Sequence, residues 1–212
     1  MSTITKEQII TWLTDCSQLY TENQLMLTEL DAAIGDADHG LNMDRGFKDV
    51  ALKLPTVADK DIGMIFKTTG MSLLSKVGGA SGPLYGTFFI RAATKTMGKQ
   101  ELTLAEFTEA LQAGVDGVVA RGKAELNDKT MCDVWWDVIG AANKANESNL
   151  SVNEALTSMN EAANHAVERT IPLRAKKGRA SYLGERCIGH KDPGSVSTML
   201  MIETLSKVVS KG

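Results

Sequence analysis

Apolar residues recur along most of this chain at spacings of three and four, the rhythm of helices with one buried face. Ile9, Trp12, Leu13, Cys16, Leu19 and Tyr20 form such a stripe. It follows Thr5-Lys6-Glu7-Gln8, which has the form of a capping box. The stripe predicts a first helix running to about Ala33, with Gly35 ending it. A second spans about Leu41 to Leu54 and stops at Pro55. Asp59 is a candidate cap for a third, which reaches about Val77. Pro83 suits the first turn of a fourth, running to about Met97. Thr103-Leu104-Ala105-Glu106 is a second capping box, opening a fifth helix to about Arg121. A sixth covers about Lys129 to Asn146. Ser151-Val152-Asn153-Glu154 opens a seventh, which should bend or weaken near Pro172. The eighth covers about Ser195 to Ser210.

The pattern therefore predicts an all-α chain of eight helices with no convincing strand. Its one long connection, about Leu173 to Gly194, is rich in glycine and charge. Connections of that length in a compact domain usually carry function or motion. With no repeat, low-complexity tract or linker, the 212 residues read as one domain, 1–212. A chain of this size buries roughly 70–75% of its unfolded surface.

Composition narrows the function classes. The net charge of −3 lacks the basic footprint of a nucleic-acid binder. No uncharged apolar run reaches the ~20 residues that span a bilayer, and the N-terminus shows no apolar signal segment. The three cysteines, Cys16, Cys132 and Cys187, are odd in number and lack CxxC spacing, which argues against a disulfide framework or structural zinc. The cytoplasm is the expected compartment.

The chemistry concentrates in four loops. In Leu30-Asp31-Ala32-Ala33-Ile34-Gly35-Asp36-Ala37-Asp38-His39-Gly40, three carboxylates crowd one turn. Carboxylates converging at about 4 Å repel by roughly 4 kcal/mol per pair at an effective dielectric near 20. Such a set calls for a cation, and an all-oxygen set selects a hard one such as magnesium. A solvated acidic turn is the alternative for this segment in isolation. Val77-Gly78-Gly79-Ala80-Ser81-Gly82-Pro83 precedes a helix N-terminus, where backbone N–H groups and the helix dipole favour phosphate; a tight helix–helix turn would look the same. Gly117 to Ala124 nearly spells a Walker A loop but fails as one: Ala124 lacks the hydroxyl, and no strand precedes it. Gly122 marks a turn there. Met131, at the next helix start, suits either the core or an adenine face. Lys176-Lys177-Gly178-Arg179, with Asp192-Pro193-Gly194 beyond, suits a lid over phosphates, Arg179 supplying a planar fork. Lys176 and Lys177 also read as a solvated charge run, and Asp192-Pro193-Gly194 as a turn capping the last helix.

The ordered set Gly35-Asp36-Ala37-Asp38-His39-Gly40, Gly78-Gly79-Ala80-Ser81-Gly82-Pro83, Gly178-Arg179-Ala180-Ser181-Tyr182-Leu183-Gly184 and Asp192-Pro193-Gly194 resembles the L subunits of bacterial dihydroxyacetone kinases, of the type that works with the sugar phosphotransferase system. The resemblance covers essentially the whole chain. It implies eight antiparallel amphipathic helices closed into a barrel with nucleotide at one end. It further implies two Mg2+ ions held by Asp31, Asp36 and Asp38. The implied ADP or ATP contacts are His39, Gly40, Leu41 and Asn42, then Ala80 and Ser81, Gly122 and Met131, and finally Arg179, Asp192, Pro193 and Gly194. Catalysis would fall to the three aspartates and Arg179. The implied reaction moves a phosphoryl group to dihydroxyacetone held on a K subunit, and an M subunit recharges the bound ADP with phosphate originating from phosphoenolpyruvate. A transcriptional regulator and a second copy of the chain are further candidate partners. Two other readings use the same motifs: an ATP-dependent triose or tetrose kinase subunit with exchangeable nucleotide, and a nucleotide-sensing module.

Overall fold

A computed structural model describes residues 3–211 and divides the first predicted helix in two. α1 spans Lys6–Glu22 and α2 spans Gln24–Ile34, separated at Asn23. The cause is local. The Asn23 side-chain amide donates to the Leu19 carbonyl at 2.9 Å, as does its own backbone N–H at 3.0 Å. Asparagine competes in this way for the carbonyls a helix needs.

The other helices follow the expected order. They are α3 (His39–Lys53), α4 (Ile62–Lys76), α5 (Ser81–Thr96), α6 (Leu104–Gly122), α7 (Met131–Glu147), α8 (Val152–Thr170) and α9 (Pro193–Ser210). Thr5, Thr103 and Ser151 close the three predicted capping boxes. The cap of α4 is Asp61, not Asp59: its Oδ1 accepts the Met64 N–H at 2.8 Å, while Asp59 is paired with Lys60 in solvent. α8 ends at Thr170, two residues before Pro172, so the proline terminates that helix instead of bending it. The α8–α9 connection is not structureless, because two short 3₁₀ turns, broken at Gly184 (φ 61°), lie within Arg179–Cys187. Among the described residues the expectation of no strand fails only at a two-residue antiparallel pair, β1 (Ile4–Thr5) with β2 (Glu101–Leu102).

Each helix from α2 onward packs on the next, α1 lies against α3 and α9, and α9 also contacts α7 and α8. Buried aromatic rings cross the interior: Trp12 of α1 meets Phe66 and Phe89, Phe89 meets Phe88, and Phe88 stacks on Trp135 of α7 at 4.3 Å. Such pairs add roughly 0.5–1.5 kcal/mol each beyond the area they bury. Trp12 donates its indole N–H to the Met201 carbonyl at 2.9 Å, joining α1 to α9 through the core. Among the described residues no helix is long and apolar enough to cross a membrane. The C-terminal ends of α2 and α6 and the N-terminal ends of α3, α5, α7 and α9 meet at one end of the molecule.

Candidate nucleotide and metal site

That end carries a cleft of about 850 Å3, within the range of small-molecule sites. Its walls include Asp31, Asp36, Asp38, His39, Ala80, Ser81, Gly122, Met131, Arg179, Asp192, Pro193 and Gly194, which is most of the predicted set. Gly40, Leu41 and Asn42 do not line it. Gly40 faces α2, where a Cβ would lie 2.0 Å from the Gln24 carbonyl oxygen; glycine is what allows α3 to start this close to α2. Leu41 is exposed outside the cleft. Asn42 is buried, and its Oδ1 accepts from Arg45 Nη2 at 2.7 Å and from the Gly78 N–H at 3.3 Å, which ties the glycine loop to α3.

The acidic turn brings one oxygen from each of Asp31, Asp36 and Asp38 within 4.8 Å of the others. Asp31 is buried and is held from two sides: its Oδ2 accepts the N–H of Asp38 at 2.9 Å and of His39 at 3.1 Å. Gly35 leaves room for this carboxylate, since a Cβ there would lie 2.0 Å from Asp31 Oδ1. Ala37 takes the left-handed conformation, φ 61°, which costs about 1 kcal/mol or more and turns the chain between Asp36 and Asp38. Asp36 accepts from Arg179 Nε at 2.7 Å. The Asp38 carboxylate has no hydrogen bond or ion pair among the described residues. Three carboxylates with no sulfur or imidazole donor form the ligand set of a hard divalent cation, and the residues fit magnesium in this respect.

A hydrogen-bonded chain ties the other loops together. His39 lies with Nδ1 3.0 Å from Ser81 Oγ and Nε2 2.9 Å from Ser197 Oγ. Ser197 donates to the Gly194 carbonyl at 3.0 Å, and its oxygen also meets the Tyr85 hydroxyl at 2.7 Å. With its single proton on Gly194, Ser197 accepts from His39 and Tyr85, so the network assigns the proton of His39 to Nε2 and makes Nδ1 the acceptor for Ser81. Burial pushes the imidazole pKa down, against the pull of the Asp31 and Asp38 charges, and keeps the ring neutral at pH 7. Both ring nitrogens are thus committed to hydroxyls. The acidic turn, the α5 N-terminus and the α9 N-terminus form one connected wall.

Asp192 serves as N-cap of α9, its Oδ2 accepting the Ser195 N–H at 2.6 Å, so the capping function weighed for this turn is real. Burial raises its carboxyl pKa to about 6. Lys176 and Lys177 keep 60% and 37% of their side chains exposed, in keeping with a solvated charge run, and lie 3.3 and 3.9 Å from the buried Asp128. Near Gly122 the rejected phosphate-loop motif is a helix end: α6 stops there and Lys123 turns left-handed, φ 52°. Sequence reasoning missed Tyr85, Thr130 and Lys129 on the cleft wall and Ser197 behind it. Polar residues inside apolar stripes, as in Ser195-Val196-Ser197-Thr198, were the available signal. The capping box of Thr130 with Asp133 was equally readable but sits among several acidic alternatives.

The DAK2 domain model matches residues 33–207. The chain is 56% identical over 203 residues to the PEP-dependent dihydroxyacetone kinase ADP-binding subunit DhaL of Escherichia coli, covering 96% of this chain and 97% of that one. It is 39% identical over 209 residues to the PTS-dependent dihydroxyacetone kinase ADP-binding subunit DhaL of Lactococcus lactis, covering 98% and 100%. Among solved structures, the dihydroxyacetone kinase of C. freundii superposes with a TM-score of 0.71 in its native form, at 23% identity over 94% of this chain and 34% of that chain. Its complex with AMP-PNP and Mg2+ gives 0.70 at 24% identity, over 94% and 33%. The structural likeness speaks for the fold, and this chain spans about a third of the C. freundii chain. Matched over nearly its whole length by subunits of its own size, the chain belongs to the DAK2-domain family and, within it, to the ADP-binding L subunits of dihydroxyacetone kinase.

Proposed function

We propose that this chain, acting as one nucleotide-binding domain over 1–212, holds ADP or ATP with two Mg2+ ions in the cleft and passes the terminal phosphoryl group to dihydroxyacetone carried by a K subunit. An M subunit then recharges the bound ADP with phosphate originating from phosphoenolpyruvate. The observation that carries the reading is the meeting of the acidic turn, a helix N-terminus and Arg179 in one cleft, on a chain so similar to the E. coli subunit.

The cleft divides by chemistry. Met131, Leu84, Val118 and Pro193 offer apolar surface for a base, with Gly122 and Gly194 leaving room beside it. Ala80 and Ser81, at the start of α5, present N–H groups and the positive end of a helix dipole to phosphates. Magnesium bound to Asp31, Asp36 and Asp38 supplies charge neutralisation on the phosphate oxygens. Arg179 is steered by Asp36 and brings its guanidinium to the equatorial oxygens of the moving group. In the transfer, the bond from the terminal phosphorus to the ADP oxygen breaks, a bond to the acceptor hydroxyl oxygen forms, and the hydroxyl proton departs. His39 is neutral but hydrogen-bonded at both nitrogens, so it serves as a strut, and the proton acceptor belongs to the K subunit.

Reconstitution tests this reading. The chain is mixed with K subunit, M subunit, a phosphoenolpyruvate-fed phosphate relay and dihydroxyacetone, with no free nucleotide added. Dihydroxyacetone phosphate should form for many turnovers per chain, and omission of the M subunit should abolish it, because the nucleotide left on the chain is ADP. Sustained turnover on free ATP without the M subunit would favour the exchangeable-nucleotide alternative.

A further inference from the structure

Lys129 precedes the Thr130 cap of α7 and is wholly buried. Its backbone is left-handed, φ 62°, a conformation that costs a non-glycine residue about 1 kcal/mol or more and that here sends the side chain inward. The ammonium lies 2.6 Å from the carbonyl oxygen of His190, 2.9 Å from that of Cys187, 3.1 Å from that of Leu173 and 3.3 Å from that of Ile171. No carboxylate lies within 4.0 Å among the described residues. A buried lysine is ordinarily paired with an acid. This one donates to backbone carbonyls, and the Asp192 charge acts on it only from beyond contact. Three N–H protons serve four oxygens, so the fourth contributes by its dipole, as carbonyls do around a bare monovalent ion.

The four carbonyls come from the two ends of one segment. Ile171 and Leu173 leave α8; Cys187 and His190 approach α9. The Gly189 N–H also meets the Ile171 carbonyl at 2.9 Å, so the two ends touch. Between these ends the chain makes the excursion that carries Lys176, Lys177 and Arg179 to the cleft, and just beyond lie Asp192, Pro193 and Gly194.

We propose that Lys129 is a positioning residue whose ammonium acts as a built-in monovalent cation, clasping the neck of the 171–190 segment to the start of α7. The clasp holds Arg179 and the α9 N-terminus at the cleft, and the carbonyl cage is a cation site that a small alkylammonium ion fills when the side chain is cut away. The inference concerns the order of the free chain and stands apart from the proposed phosphoryl transfer.

Two measurements on the full chain without nucleotide test it. In the wild-type protein, proton–nitrogen NMR should show the Lys129 ammonium as a slowly exchanging signal that disappears in K129M. A Lys129 ammonium exchanging as fast as surface lysines would overturn the proposal, whether or not any variant folds. In K129A, hydrogen exchange across 171–192 should accelerate by at least about tenfold, since charged hydrogen bonds at both ends are lost. Adding n-propylammonium, which replaces the missing atoms and charge, should restore slow exchange there, whereas 1-propanol should not. Unchanged exchange in K129A, or equal rescue by the neutral alcohol, would show that the charge does not clasp the segment.

Discussion

Asp38→Asn should make the free protein more stable while weakening its response to magnesium nucleotide. One oxygen from each of Asp31, Asp36 and Asp38 lies within 4.8 Å of the others. At that distance a pair of full charges repels by roughly 3.5 kcal/mol at an effective dielectric of 20 and by about 0.9 kcal/mol in bulk water. Asp31 is repaid by two backbone N–H groups and Asp36 by Arg179, but Asp38 has no such partner among the described residues. Its amide is close in shape and removes two of the three repulsions. Two pairs together span about 2–7 kcal/mol, and because the turn is partly exposed the lower half of that range applies, a gain of about 2–4 kcal/mol. For a chain of this size that corresponds to roughly 4–16 °C in melting temperature. The assay is thermal unfolding of both proteins, first in EDTA without nucleotide and then with magnesium and ADP. The variant should melt higher in EDTA, and the wild type should gain more from magnesium and ADP, by at least about 1.4 kcal/mol for a tenfold loss of affinity. A variant that melts lower in EDTA, or that gains as much from magnesium ADP, would refute the view that the turn is strained by charge in favour of a cation.

Arg179→Ala should lower phosphoryl transfer in the reconstituted system more than it lowers nucleotide retention, with a stability change under about 1 kcal/mol because its ion pair with Asp36 is largely exposed; loss of retention with normal turnover of the remaining complex would reverse that assignment. Asp192→Asn tests the buried carboxyl. Its pKa of about 6 lies above the unfolded value of 3.8, so the folded state binds the extra proton and the wild type is favoured below about pH 4, losing that advantage as pH rises through 6. Asparagine caps a helix as well as aspartate, so in denaturant titrations without ligand the variant should gain about 2–3 kcal/mol relative to wild type between pH 4 and 7; a pH-independent difference would contradict the raised pKa. Ala37→Gly should raise stability by about 1 kcal/mol by relieving the left-handed turn, and a loss of stability in the same titration would show that the alanine is unstrained.

Local signals in the sequence were read well, and long-range ones were not. Thr5, Thr103 and Ser151 were legible as caps because the partner of each lies three residues on. The loops of the cleft were legible because glycine, aspartate and arginine cluster there. The break at Asn23 was hidden by an apolar stripe that continues across it, and Asp61 was confused with Asp59 because both precede the same helix. Ser197 and Lys129 gave little signal, since their partners stand far away along the chain: His39 and Ser197 are 158 positions apart, and Lys129 and His190 are 61 apart. Gly40, Leu41 and Asn42 adjoin the acidic turn in sequence, yet helix geometry turns them away from the cleft as soon as α3 begins.

The most direct test of the central claim is the nucleotide and metal content of the purified chain, measured after long dialysis and denaturation. The account predicts about one ADP per chain and two magnesium ions, with both lost together in Asp36→Asn while the helical fold persists. A wild-type chain that emerges empty, or an Asp36→Asn variant that keeps its magnesium and nucleotide, would contradict it.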